Sequence, residues 1–169
     1  MTRRGLITGS LLVCFTAVLT VIALGLPGPI TASTVLATSK APAQHCVVHE
    51  AATLSALKQG TKRVVVVVKS FQPAKPPSAG LVVSLLTANK AQRHEITHFT
   101  VHPLRAFTAQ EPARHQRFLI SLAGHAQLIE DNQPLCLEVG FDTSRGKLEG
   151  GLAEIDVEIV DVTAASGKS

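Results

Sequence analysis

Ala153-Glu154-Ile155-Asp156-Val157-Glu158-Ile159-Val160-Asp161-Val162, near the C-terminus, is the stretch that decides the fold class. Ile155, Val157 and Ile159 alternate with Glu154, Asp156 and Glu158, and successive side chains on a strand point to opposite faces. The stretch therefore predicts a half-exposed antiparallel strand with three aliphatics inward and three carboxylates outward. That acidic row, Glu154, Asp156 and Glu158, is a candidate interaction face.

Working back along the chain, Val64 to Val68 is a run of five valines, followed by Lys69-Ser70-Phe71 and then Gln72-Pro73-Ala74-Lys75-Pro76-Pro77. A β-branched run closed by turn-forming residues predicts a buried strand. Gly80 to Thr87 (GLVVSLLT) repeats the pattern, and further strands are predicted over 94–102, 118–122 and 135–141. In the last of these, Leu135, Leu137, Val139 and Phe141 share one face and leave Cys136 and Glu138 on the other. Leu54 and Leu57 sit at helical spacing among alanines and Gly60 stops them, which predicts a short helix over 50–59. About six strands joined by Pro- and Gly-containing loops predict an all-β antiparallel sandwich or jelly roll, preceded by an N-terminal hydrophobic helix and that one short helix.

The chain has 169 residues, and 46% of them are hydrophobic, the size and apolar share of one globular domain rather than of a disordered chain or a multidomain enzyme. There is no Trp and no Tyr, and one of the six Phe lies in the leader. The usual platforms for stacking bases or sugars are therefore missing, which argues against a nucleic-acid partner. Charge is segregated. Residues 38–128 hold eleven Lys/Arg against three acids, and residues 129–169 hold three Lys/Arg against nine acids. Two readings follow: a basic face for an anionic partner, or, favoured here, two halves that pair strand to strand and neutralise each other.

Residues 5–26 carry no charge and follow Arg3 and Arg4. The run is longer than a usual export h-region of about 7–15 residues and close to the roughly 20 that span a bilayer. Residues 1–32 thus read as a signal peptide or a membrane anchor, with the rest of the chain outside the cytoplasm, periplasmic or secreted. Pro27 and Pro29 end the hydrophobic run, and Ala32 or Ala37 fits a processing site. Thr2-Arg3-Arg4-Gly5-Leu6-Ile7 also fits a loose twin-arginine pattern, although the very apolar run that follows favours an ordinary basic start. Residues 33–45 read as a linker, 46–163 as the sandwich and 164–169 as a disordered tail. With Cys14 in the leader, the exported part keeps Cys46 and Cys136, which an oxidising compartment would join.

One motif carries chemistry. His94-Glu95-Ile96-Thr97-His98 matches the H-E-x-x-H zinc pattern, with His102 four residues on, and on a helix it would hold Zn²⁺ with Glu95 activating water. Four β-branched residues between Ile96 and Val101, with Pro103 after them, favour a strand instead. On a regular strand Glu95 points away from His94 and His98, while His94, His98 and His102 share a face at a spacing too wide for one ion. A single zinc or copper site would then need another strand, or His45 and His49. There is no G-x-S-x-G nucleophile elbow and no phosphate-binding glycine loop.

The order of RVVVVVKSF, GLVVSLLT, HEITHFTVHP, RFLISLAGHAQLI, PLCLEVGFD and AEIDVEIVDV, over about residues 64–162, resembles the C-terminal β-sandwich domain of tyrosinases and plant polyphenol oxidases. The resemblance implies a jelly-roll-like module that packs against a catalytic domain. This chain has no room for the family's helical copper domain, so oxidase activity and catalytic residues do not carry over. The leading expectation is a non-catalytic extracytoplasmic module that binds another protein, a separately encoded enzyme or a membrane complex, and that is held at the membrane by its N-terminal segment if that is uncut. The alternatives are a small zinc-dependent hydrolase using His94–His98 and a histidine-based metal-binding protein.

Overall fold

The computed structural model describes residues 34–87, 92–144 and 146–162, all within one compact unit, Thr31–Ser169. The leader (1–32) and the tail (164–169) lie outside the described residues. Among the described residues eight strands form: β1 (Val35–Thr38), β2 (Ala43–Val47), β3 (Lys62–Gln72), β4 (Gly80–Thr87), β5 (Gln92–Thr100), β6 (Gln116–Ile120), β7 (Leu135–Phe141) and β8 (Leu152–Asp161). One α-helix, α1 (Ala51–Gln59), lies between β2 and β3. Among the described residues no helix is long and apolar enough to cross a membrane.

The pairing has a simple logic. β1 pairs with β8, β2 with β7, β3 with β6 and β4 with β5, all antiparallel, as in one long hairpin. Winding that hairpin round itself adds β3 beside β8 and β4 beside β7. The result is two four-stranded sheets, sheet A in the order β1-β8-β3-β6 and sheet B in the order β2-β7-β4-β5. This is the jelly-roll arrangement of an all-β sandwich.

The core lies between the sheets. Val64, Val66 and Val68 of β3 with Ala153 and Ile155 of β8 face Leu81, Val83 and Leu85 of β4 and Leu135, Leu137 and Val139 of β7. Phe71 joins them, stacked on Phe141 with ring centroids 6.0 Å apart. Burying each such side chain contributes roughly 1.5–3 kcal/mol, which is why the two faces must meet. Leu54 and Leu57 add the buried face of α1. The helix stops at Gly60, whose φ of 78° admits glycine cheaply and whose N–H reaches the carbonyls of Ala56 and Leu57.

Two expectations need correction. Residues 33–45 do not form a plain linker, because β1 and the first half of β2 fall within them and the sandwich begins at Val35 rather than at residue 46. Their inward residues Ala37 and Ala43 are small and buried, so short edge strands settle against the core without the bulky alternation that marks the others. Between them, the Thr38 hydroxyl accepts the Ala41 N–H at 3.0 Å and tightens the turn.

The acidic row of β8 is the second. Asp156 lies on the outer face, opposite Val67, but is not solvated there: it is 2% exposed and bound to Lys69 at 2.7 Å. Glu158 accepts two hydrogen bonds from Arg117, at 3.2 and 2.5 Å. Arg117 lies opposite Val67 and Glu158 opposite Val65, so this bridge crosses β3 between two buried valines. The bonds to Glu158 hold the Arg117 guanidinium above its usual range. Lys58–Asp131, Lys62–Asp161 and Arg93–Glu138 complete a set of pairs that each join the basic half of the chain to the acidic half. The segregated charges thus neutralise one another across the sandwich, and Glu154 is the one member of the row without an ion pair among the described residues.

Candidate functional site

The outer face of sheet B carries the site. Strand register sets its rows. Gln44, Glu138, Ser84 and Glu95 lie side by side across β2, β7, β4 and β5. Cys46, Cys136, Leu86 and Arg93 form the row on one side, and Gly140, Val82 and His98 the row on the other. With strands about 4.8 Å apart, the Glu138 and Glu95 backbones stand roughly 10 Å from each other with Ser84 between them.

Glu138 is 4% exposed. A buried carboxylate is tolerated only when its oxygens are paired. Arg93 meets one oxygen at 2.6 Å, and the Gln44 amide donates to the other at 3.0 Å. Ser84 is equally buried, 3% exposed, at the centre of the row. Gly140 belongs there for a steric reason: a Cβ at that position would stand 3.0 Å from the Pro42 side chain.

Above this floor opens a groove of about 690 Å³, walled by the β1–β2 turn with Lys40, the β7–β8 turn with Asp142 and Thr143, and the Arg93 and Glu95 side chains of β5. Its exposed charges are of both signs. The one deeply buried carboxylate of the groove, Glu138, thus has each of its oxygens held by a donor, Arg93 on one and Gln44 on the other.

The disulfide expected between Cys46 and Cys136 forms within this face. The two residues stand directly opposite each other in the β2–β7 register, with Cα atoms 4.0 Å apart. The bridge therefore fastens edge strand β2 to its neighbour β7.

His94 to His98 lies on a strand, as the β-branched residues required. The regular alternation does not survive, however. Thr97 pairs with Val83 and Glu95 with Ser84, so Ile96 is an extra residue, a β-bulge that inverts the facing of everything after it. His94 lies opposite core residue Leu85, and His98 opposite Val82 on the outer face. The two histidines thus point to opposite sides of β5, and Glu95, expected to point away from His98, shares its face with Nδ1 and Oε1 3.5 Å apart. His102 follows the strand, exposed, its N–H donating to Gln116 Oε1 at 3.0 Å. His94, His98 and His102 are not brought together, and no group of three or more His, Cys, Asp or Glu among the described residues is placed to hold a metal ion. His45 and His49 are not on a helix either: His45 pairs with Leu137 in β2, and His49 lies before α1, its imidazole held below the usual range by burial and then by the charge of His45.

Arg93, Gln44, Ser84 and Glu138 were not singled out from the sequence. A signal existed: Ser84 interrupts GLVVSLLT and Glu138 interrupts LCLEVGF, each a polar residue inside an apolar strand. Fold and groove together define a jelly-roll sandwich with a polar groove on the outer face of sheet B. No family model, no curated protein and no solved structure matches the chain.

Proposed function

We propose that this protein is a non-catalytic extracytoplasmic module whose sheet B groove binds another protein. The carrying observation is the groove itself: open, lined by exposed charges of both signs, and founded on a buried Glu138 carboxylate that Arg93 and Gln44 hold, in a sheet whose edge a disulfide secures. Small molecules are usually enclosed by apolar and aromatic walls, whereas a polar, open rim with a fixed arginine suits a protein surface. The disulfide supports an oxidising compartment, and so an exported or membrane-tethered chain. The resemblance to the tyrosinase C-terminal sandwich suggests a separately encoded enzyme as the partner.

The test is co-purification from the extracytoplasmic fraction of the native cell, with wild-type protein beside a Lys40→Glu/Glu95→Lys double variant. One protein recovered in near-equal amount with the wild type, and lost with the variant, is the expected result. Recovery that is equal for the two would place binding elsewhere.

A further inference from the structure

The sequence leaves two bonds at which the leader can be removed, after Ala32 and after Ala37. The sandwich separates them. Ala37 is fully buried and pairs with Ala153, while Val35 pairs with Ile155 and packs against the core. A cut after Ala37 would leave Thr38 as the last remnant of β1. It would strip the β8 edge from Ala153 to Ile155 of its ladder partner and uncover two side chains that are now 0% exposed. Newly bared backbone on a sheet edge is a template for aggregation as well as a loss of hydrogen bonds.

A cut after Ala32 leaves all of β1 in place, together with Thr34, whose hydroxyl lies 3.5 Å from the Lys69 ammonium. Resting on the extracytoplasmic reading above, we propose that the Ala32–Ser33 bond is the processing site. Water adds across that amide under a leader-processing peptidase, giving a carboxylate on Ala32 and an α-ammonium on Ser33. Ala32 supplies the small residue such peptidases require before the scissile bond, and Pro27 and Pro29 mark the end of the apolar run a few residues upstream. The mature chain then starts just ahead of the first strand, with every core residue of the sandwich retained.

The experiment expresses the full chain in a bacterial host, separates the cell fractions and measures the intact mass of the protein. A mass matching residues 33–169 is expected, and Ala32→Leu should leave the uncut chain at the membrane. A mass beginning at Thr38, an uncut wild-type chain, or unchanged cutting of Ala32→Leu each overturns the assignment. Protease added to intact spheroplasts separates the two levels. An uncut chain digested from outside overturns the cleavage site and leaves the extracytoplasmic reading standing, while a chain protected inside the cytoplasm overturns both.

Discussion

Replacing both Cys46 and Cys136 with alanine removes the cross-link that ties the first third of the sandwich to its seventh strand. The two cysteines are 90 residues apart. Closing a loop of that length restricts the unfolded chain by an amount that the chain-entropy relation places at about 4.6 kcal/mol at 25 °C. With an unfolding entropy of about 2.1 cal/mol/K per residue over the sandwich, the melting temperature should fall by roughly 15 °C. The assay is thermal unfolding followed by circular dichroism, on wild type and double variant, each with and without reductant. Reductant should bring the wild type down to the variant and leave the variant unmoved. β2 is an edge strand fastened by this bridge, so amide exchange at Ala43–Val47 should accelerate before the rest of the fold is lost. A difference of less than about 5 °C, or a reductant-insensitive wild type, would refute the reasoning, since a loop this long cannot then be a principal constraint on the unfolded chain.

Burial and the nearby His45 lower the His49 pKa from 6.5, so the unfolded chain binds that proton more readily than the folded one; stability present above pH 6.5 is lost as the pH falls, and His49→Gln should flatten this slope in denaturant titrations between neutral and mildly acidic pH. Lys69→Ala leaves the Asp156 carboxylate buried without its cation and should cost about 2–4 kcal/mol by urea unfolding, with much of the loss recovered when Asp156→Asn is added. Zinc or copper should leave the melting temperature of wild type and of a His94→Ala/His98→Ala variant equally unmoved; a wild-type rise of several degrees, absent from the variant, would place a metal on β5.

Strands with a bulky alternation or an unbroken β-branched run were legible because each carries its own apolar face: β3, β4, β7 and β8 were all readable, as was α1 from Leu54, Leu57 and Gly60. β1 and β2 were not, because their inward residues include Ala37, Ala43 and His45, and an edge strand that contributes small side chains leaves little trace in composition. The β5 bulge was hidden for a different reason. Its position depends on how Ile96 meets β4, a relation between two strands rather than a property of one. The same holds for the site. Gln44, Ser84, Arg93 and Glu138 are scattered along the chain and come together in two adjacent rows only once the hairpin is wound. The mutual neutralisation of the basic and acidic halves, by contrast, followed from the charge count plus antiparallel pairing, and Lys69–Asp156 and Arg117–Glu158 embody it.

The most direct measurement places a photo-crosslinking amino acid at Thr143, on the rim of the sheet B groove, and separately at Leu36, exposed on sheet A, and irradiates the protein in its native cells. A single discrete adduct from Thr143, diminished by Lys40→Glu/Glu95→Lys and absent from Leu36, is the predicted result. Adducts from Leu36 alone, or a Thr143 adduct indifferent to the groove charges, would contradict the claim that this face binds a partner.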